Sequence, residues 1–144
     1  MSKATPKIDN VVKTTLQGDK DKMIKNALVI NSELKEDDKS AWVDVQIRAI
    51  DIAENNKELE NLQREVGGWV QMVELSPTIT MWCNEEGKLI GLPLNYAATR
   101  IWTKVFGYTD AIMGKVVFTG GTDDEGETLP LSKEDEQVIL EWVK

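Results

Sequence analysis

One short stretch in the second half of the chain carries the side chains best suited to binding chemistry. It combines two cations, an amide, an aromatic ring and two hydroxyl groups, carried by Lys88, Asn95, Tyr96, Thr99 and Arg100. Asn95 stands where a helix is predicted to begin, and the free backbone N–H groups of a helix N-terminus favour negative charge. The stretch therefore predicts a site for a small anionic, nucleotide-like ligand.

A structural interpretation of the same stretch stays open. Asn95 can cap the helix that follows it, Pro93 can stiffen the preceding loop, and Gly91 can permit a turn. Polar residues next to a helix start serve as caps and turns more often than as ligands. The residue types alone do not separate the two interpretations.

Trp82 joins the candidate binding residues because of the strand face that it occupies. It shares that face with Thr78 and Thr80, which predicts an exposed indole ring. Exposed tryptophan is enriched at protein interfaces and at stacking sites. Cys83 falls on the opposite, apolar face and is predicted to be an inert core thiol rather than a nucleophile.

The composition excludes most familiar catalytic and metal-binding designs. The chain has no histidine and one cysteine, which removes Ser-His and Cys-His nucleophiles and the commonest zinc and copper ligand. Gly67-Gly68 and Gly120-Gly121 lack the spacing of a phosphate loop, and the acidic runs 36–38 and 123–127 lack the pattern of a calcium loop. We predict a protein that is not an enzyme and uses no metal or cofactor, with catalysis by carboxylates alone as the remaining alternative.

Charge is distributed unevenly along the chain, whose net charge is −8. Residues 1–24 carry five Lys and three Asp, whereas residues 25–144 carry 12 basic and 22 acidic side chains. Direct nucleic-acid binding is disfavoured because phosphate contacts need clustered Lys and Arg. An acidic surface can instead approach a basic groove on a partner protein, and simple solubility is the alternative explanation.

The length of 144 residues predicts one domain, residues 25–144, preceded by a helical appendage, residues 1–24. An isolated helix of about ten residues is marginal in water. The appendage is therefore expected to fray, or to pack on its own domain or on a neighbouring subunit of a homo-oligomer. The residues at helical spacing that predict it are Ile8, Val11, Val12 and Leu16.

The chain is expected to be cytoplasmic and to have no membrane partner. No apolar run approaches the roughly 20 residues needed to span a bilayer. The first residues also lack the apolar segment of a signal peptide.

Strands and helices are predicted in irregular order. The predicted strands are 27–30, 43–49, 69–75, 78–83 and 111–119, with a charged turn at 33–40 and a hairpin at 84–87 that returns through a strand at 88–90. The predicted helices are 55–66, 95–106 and a C-terminal helix capped by Ser132. This mixture predicts an α+β fold, with a mostly antiparallel sheet or a small, partly open barrel and short helices.

Local signals predict how individual elements begin and end. Asn55 and Glu58 are spaced as a capping box, and Gly67 is a typical helix stop. Gly114 is expected to mark a bulge in the last strand. In the second predicted strand, residues 43, 45, 47 and 49 form an apolar face, which indicates that the strand is half-buried.

Several short pieces of sequence, in order, resemble one known family. The pieces are Leu62–Val70, Trp82–Asn95, Ala98-Thr99 and Ile112–Val117, and together they resemble the family called domain of unknown function 3846 over about residues 25–130. The resemblance implies a small protein found in bacteria, bacteriophages or mobile elements, without an assigned enzymatic activity. It places the N-terminal helix and the C-terminal helix outside the shared core.

Three functions follow from the residues and the resemblance together. The first is a non-enzymatic accessory protein of a phage or mobile element, which binds a host protein or other host macromolecule and inhibits a host defence system. The second is a protein that sequesters a small anionic ligand at residues 88–100, beside a subunit boundary. The third is an acidic DNA mimic, which requires carboxylates spaced regularly on one exposed face.

Overall fold

The computed structural model describes residues 24–144, so the predicted helix within residues 1–24 lies outside the described part of the chain. The elements are β1 (Asn26–Glu36), β2 (Ala41–Asp51), α1 (Glu58–Val66), β3 (Val70–Ser76), β4 (Ile79–Asn84), α2 (Tyr96–Phe106), β5 (Val116–Thr119) and α3 (Lys133–Val143). Across residues 24–144, no helix has both the length and the apolar character needed to cross a membrane.

The strands form one open antiparallel sheet in the order β2-β1-β5-β4-β3. The sheet consists of two hairpins, β1–β2 and β3–β4, which β5 joins. On one side of β5, Phe118 pairs with Leu28 of β1, and on the other side Val117 pairs with Trp82 of β4. The α+β prediction is confirmed, and the sheet is open rather than barrel-shaped because β2 and β3 remain at its two edges.

Helices cover both faces of the sheet because successive strand residues point to opposite faces. On one face, Phe118 and Met81 pack with Ile101 of α2 and Ile139 of α3, and all four are fully buried. On the other face, α1 packs its buried residues against Ala27, Val29 and Val117 of the sheet. The two apolar layers fix the positions of the connections between strands and helices.

The start of α1 corrects the predicted capping box. Asn55 and Asn56 have φ angles of 59° and 56°, in the left-handed region that Asn tolerates better than most residues. They form a 3-10 turn, and α1 begins at Glu58 without a side-chain cap. Glu58 accepts a hydrogen bond from Lys25 Nζ at 2.7 Å instead. The predicted stop is confirmed at Gly67, which has a φ of 83°.

The predicted return strand at 88–90 is wrong, because β4 has no free edge for it. Trp82 in the middle of β4 pairs with Met72 of β3 on one side and with Val117 of β5 on the other. The chain after Asn84 therefore turns away from the sheet and makes turns from residue 85 to residue 91. These turns become part of the candidate binding surface.

Two other predicted boundaries differ from the structure. β1 continues to Glu36, so the charged turn shrinks to 37–40, where Asp37 N–H donates to the Ser40 carbonyl at 2.9 Å. The last strand begins at Val116 rather than at residue 111. Gly114 lies before this strand at a φ of 86°, and a Cβ there would come within 2.7 Å of Leu92 Cδ1.

Candidate binding surface

One end of the sheet, where β4 finishes and β5 begins, is closed by two connections. The first, residues 85–95, leads from β4 to α2, and the second, residues 107–115, leads from α2 to β5. An ion pair between Lys88 Nζ and Asp110 Oδ1 joins them. Their side chains are 57% and 37% exposed, so the ion pair lies at the surface.

A cavity of about 150 Å³ lies between the two connections. Its walls come from the neighbouring ends of β3 and β4, from the turn after β4 and from the second connection. The lining residues are Gln71, Cys83–Leu89 and Asp110–Met113. Lys88 is therefore both a cavity residue and a member of the ion pair.

Two titratable groups at the cavity, Asp110 and Cys83, have shifted pKa values. Lys88 holds the pKa of Asp110 below its usual range by hydrogen bonding to the carboxylate, and the N–H of Ala111 donates to the same carboxylate at 2.8 Å. Burial raises the pKa of the Cys83 thiol to about 11, with a smaller rise from Asp110 that Lys88 opposes. Cys83 is thus a protonated wall residue at neutral pH, which agrees with the prediction of an inert thiol.

Asn95 caps α2 as predicted, and its whole side chain is used inside the protein. Its Oδ1 accepts hydrogen bonds from Ala98 N–H at 3.0 Å and from Ser32 Oγ at 2.9 Å. Its Nδ2 donates to the carbonyls of Ile30 at 3.0 Å and Gly114 at 2.8 Å. The side chain is fully buried, and these contacts use both donors and both acceptors of the amide. Asn95 therefore ties β1, α2 and the loop before β5 together.

Thr99 and Tyr96 lie in the first turns of α2. Thr99 Oγ1 accepts a hydrogen bond from the N–H of Ile112 at 2.9 Å and so holds the second connection against the helix. Tyr96 is the first residue of α2 and is half-buried. Neither residue lines the cavity.

Arg100 and Trp82 lie away from the cavity. Arg100 Nε donates to the Lys144 carbonyl at 2.7 Å, beside the end of α3. Trp82 lies on the α1 face of the sheet, where it is half-buried and its Nε1 donates to Thr119 Oγ1 at 2.9 Å. Of the six predicted binding residues, the structure places only Lys88 at the cavity.

Sequence reasoning missed the exposed apolar side chains that neighbour Lys88 and Asp110 along the chain. Leu89 is 85% exposed and Tyr108 is 96% exposed, and Ile90 beside Leu89 is 55% exposed. We call Lys88, Leu89, Ile90, Tyr108 and Asp110 the loop surface. Nothing in the sequence marks Leu89, Ile90 or Tyr108 as exposed, because Leu89-Ile90 also fits a buried strand and Tyr108 is an aromatic residue that follows a helix stop.

A family model with the description Domain of unknown function (DUF3846) matches residues 25–144. The chain belongs to this family. The DUF3846 match extends through α3, so the expectation that the C-terminal helix lies outside the shared core is wrong. The cavity and the loop surface both lie within the DUF3846 match. Comparisons with curated proteins and with solved structures found no match.

Proposed function

We propose that this DUF3846 protein is a non-enzymatic binding protein whose partner is another protein, held through the loop surface. The observation that supports this proposal is the exposure of Leu89 and Tyr108 on two connections that one ion pair joins. Leu89 follows Lys88 directly, and Tyr108 lies two residues before Asp110. The ion pair therefore brings the two exposed segments to the same end of the sheet. Contiguous exposed apolar surface marks interaction sites. Aromatic residues in particular are enriched in the parts of interfaces that contribute most to affinity.

The second connection is held in place by contacts to α2, which favours binding. Trp102 Nε1 donates to Thr109 Oγ1 at 2.8 Å, and the rings of Trp102 and Phe106 lie 4.5 Å apart between centroids. Thr109 adjoins Tyr108 in the sequence, so the exposed ring stands on an anchored loop. A surface that is ordered before binding loses less conformational entropy in the complex.

The kind of partner follows from the charge and from the family. A net charge of −8 favours a partner whose apolar contact site is surrounded by basic residues, because complementary potentials steer association. The resemblance to proteins of bacteria, phages and mobile elements supports a host protein as that partner. In this proposal the protein is an accessory factor that inhibits a host defence system by occupying one of its components.

A second candidate function, the binding of a small anion, has one cation at the cavity wall, Lys88. Its charge is paired with Asp110, and Glu85 and Glu86 also line the cavity, so the lining is net negative and disfavours an anion. The volume of about 150 Å³ is also below the roughly 300–1,000 Å³ of typical ligand pockets. These observations favour the protein-binding function.

A capture experiment with matched variants tests the proposed function. The full chain is immobilised, incubated with a bacterial host lysate, and its bound proteins are quantified by mass spectrometry. The double variant Leu89→Asp, Tyr108→Asp is expected to lose a stoichiometric partner that the wild type retains. Leu59→Asp is the control, because Leu59 is 55% exposed on α1, outside the loop surface.

All three proteins are expected to unfold at the same denaturant concentration, because substitutions at exposed positions change stability by only about 0.5 kcal/mol. A partner that binds the double variant as well as the wild type would contradict the proposal. The absence of any stoichiometric partner of the wild type would contradict it too.

A further inference from the structure

The edge of the sheet formed by β2 is long, regular and unpaired on its outer side within residues 24–144. β2 pairs with β1 without a bulge along its whole length, from Asp51↔Asn26 to Ala41↔Glu36. It contains no proline, and its charged residues before the terminal Asp51 are Asp44 and Arg48. Natural edge strands that avoid pairing are usually short, bulged or interrupted by proline or lysine. β2 is neither short nor bulged and has no proline or lysine. Charged side chains also protect edges, and two of them, Asp44 and Arg48, lie within β2, so a strand that pairs with it has to match these charges.

The backbone groups on the outer side of β2 can be assigned from the register. Ile52 N–H donates to the Lys25 carbonyl at 3.0 Å, in the same register that pairs Asp51 with Asn26. Because hydrogen-bonding direction alternates along an antiparallel strand, even-numbered residues of β2 direct their N–H and C=O groups towards β1. The residues between them direct these groups outwards, and they include Val43, Val45, Ile47 and Ala49.

We propose that the outer edge of β2 pairs with β2 of a second copy of this chain, antiparallel and about a two-fold axis at Gln46. In this register Asp44 lies opposite Arg48 of the second copy, and Arg48 lies opposite the second copy's Asp44. The outward-directed backbone groups then meet as hydrogen-bonded pairs, Val45 with Ile47 and Val43 with Ala49. The two charges of the strand therefore form two ion pairs, one on each side of the axis.

The remaining side chains of β2 also match in this register. Trp42 lies opposite Ile50 of the second copy, a cross-strand pair of an aromatic and a β-branched residue, which is favourable. Trp42 is 46% exposed and Val43 is 42% exposed in the single chain. Val43 and Val45 face the α2 and α3 side of the sheet, so the pairing extends the apolar layer on that side from one copy to the other.

An intramolecular ion pair positions Arg48 for this contact. Its Nη2 lies 2.5 Å from Glu65 Oε1 of α1, which holds the guanidinium on the α1 side of the sheet, the side on which Asp44 also lies. A guanidinium has five N–H donors, so Arg48 retains donors for Asp44 of the second copy. A two-residue shift of the register would place Asp44 opposite Gln46 or Ile50 and remove both intermolecular ion pairs.

The oligomeric state of the full chain tests this proposal by sedimentation and light scattering. The wild type is expected at twice the 16.2 kDa of one chain. Asp44→Arg converts both ion pairs into Arg–Arg contacts and is expected to weaken the dimer at least about tenfold. Glu74→Arg is the matched control, because Glu74 is an exposed acid on β3, the opposite edge strand, and it is expected to leave the dimer unchanged.

Mixing two charge variants separates the proposed register from a general loss of folding. Asp44→Arg and the double variant Arg48→Asp, Glu65→Arg, which keeps an ion pair between positions 48 and 65 within the chain, are each expected to be monomeric alone, because each places like charges opposite each other. Mixed in equal amounts they restore both ion pairs, so a one-to-one heterodimer is expected. A monomeric wild type, an Asp44→Arg variant as dimeric as the wild type, or a mixture that stays monomeric would overturn the proposal.

Discussion

Lys88 and Asn95 lie seven residues apart, and the sequence predicts both as parts of one binding site, yet the structure gives them opposite environments. Asn95 is fully buried and its amide has four partners within the protein. Lys88 is 57% exposed in an ion pair at a cavity. A polar side chain whose hydrogen-bonding capacity is used internally positions the chain. The exposed residues that it helps to position remain accessible to a partner.

The largest expected effect follows from removing the buried amide. Asn95→Ala removes the cap of α2 and leaves the carbonyls of Ile30 and Gly114 without their donor. We expect a loss of about 3 kcal/mol in the free energy of unfolding, since a cap contributes about 1 kcal/mol and unpaired buried groups cost about 1–3 kcal/mol. Urea unfolding measures this loss.

The matched control for the buried amide is Ser132→Ala. Ser132 Oγ accepts a hydrogen bond from Asp135 N–H at 3.0 Å at the exposed start of α3, so its removal costs a cap alone, about 1 kcal/mol. Equal losses in the two variants would show that Asn95 acts only as a cap. In that case the hydrogen bonds from Asn95 to the carbonyls of Ile30 and Gly114 would add nothing to the free energy of unfolding, and Asn95 would differ from Lys88 in burial alone.

A second prediction concerns Cys83, which lines the cavity from the buried side. A thiol with a pKa of about 11 carries about a hundredfold less thiolate at neutral pH than a solvated cysteine, and the thiolate is the reactive form. The native protein is expected to react correspondingly slowly with a thiol reagent and faster as the pH rises, whereas the unfolded chain reacts at the ordinary rate. A fast reaction of the native protein at pH 7 would contradict the burial of this wall of the cavity.

The smallest expected effect belongs to the exposed ion pair. The pKa of Asp110 is lowered in the folded protein by Lys88, so its contribution to stability is present above the unfolded pKa of about 3.9 and is lost as the pH falls through the folded pKa. Asp110→Asn is expected to cost less than about 1 kcal/mol at pH 7. This difference from the wild type should vanish in acid.

Asn95→Ala is the control for this pH dependence. Its loss comes from uncharged hydrogen bonds, so the difference from the wild type should persist in acid. Urea unfolding at several pH values measures both differences. A difference for Asp110→Asn that stays constant with pH would show that the ion pair contributes no stability.

The features of the fold that sequence predicts correctly are those with local signals. The alternation along β2, the apolar face of β4 and the caps Asn95 and Ser132 are each contained in a few neighbouring residues. The return strand at 88–90 is wrong because pairing partners are set by distant segments. β5 occupies the edge of β4 that such a strand would need.

The candidate binding surface is less predictable than the fold because closeness in sequence differs from closeness in space. A helix turns about 100° per residue, so Thr99 and Arg100 on α2 project to different neighbours, Ile112 and Lys144. The cavity instead joins the turn after β4 to residues 110–113. The exposure of Leu89 and Tyr108 depends on these nonlocal contacts and has no local signature.

The position of β5 between two hairpins has a consequence for the order of folding. In each hairpin a short turn joins two strands that follow each other in the sequence. The pairing of Leu28 with Phe118 instead joins residues 90 positions apart. Local contacts form faster than such distant ones, so the hairpins are expected to form first and the complete sheet last. During synthesis both hairpins leave the ribosome before Val116, and until β5 inserts, β1 and β4 each present an open edge to other nascent chains.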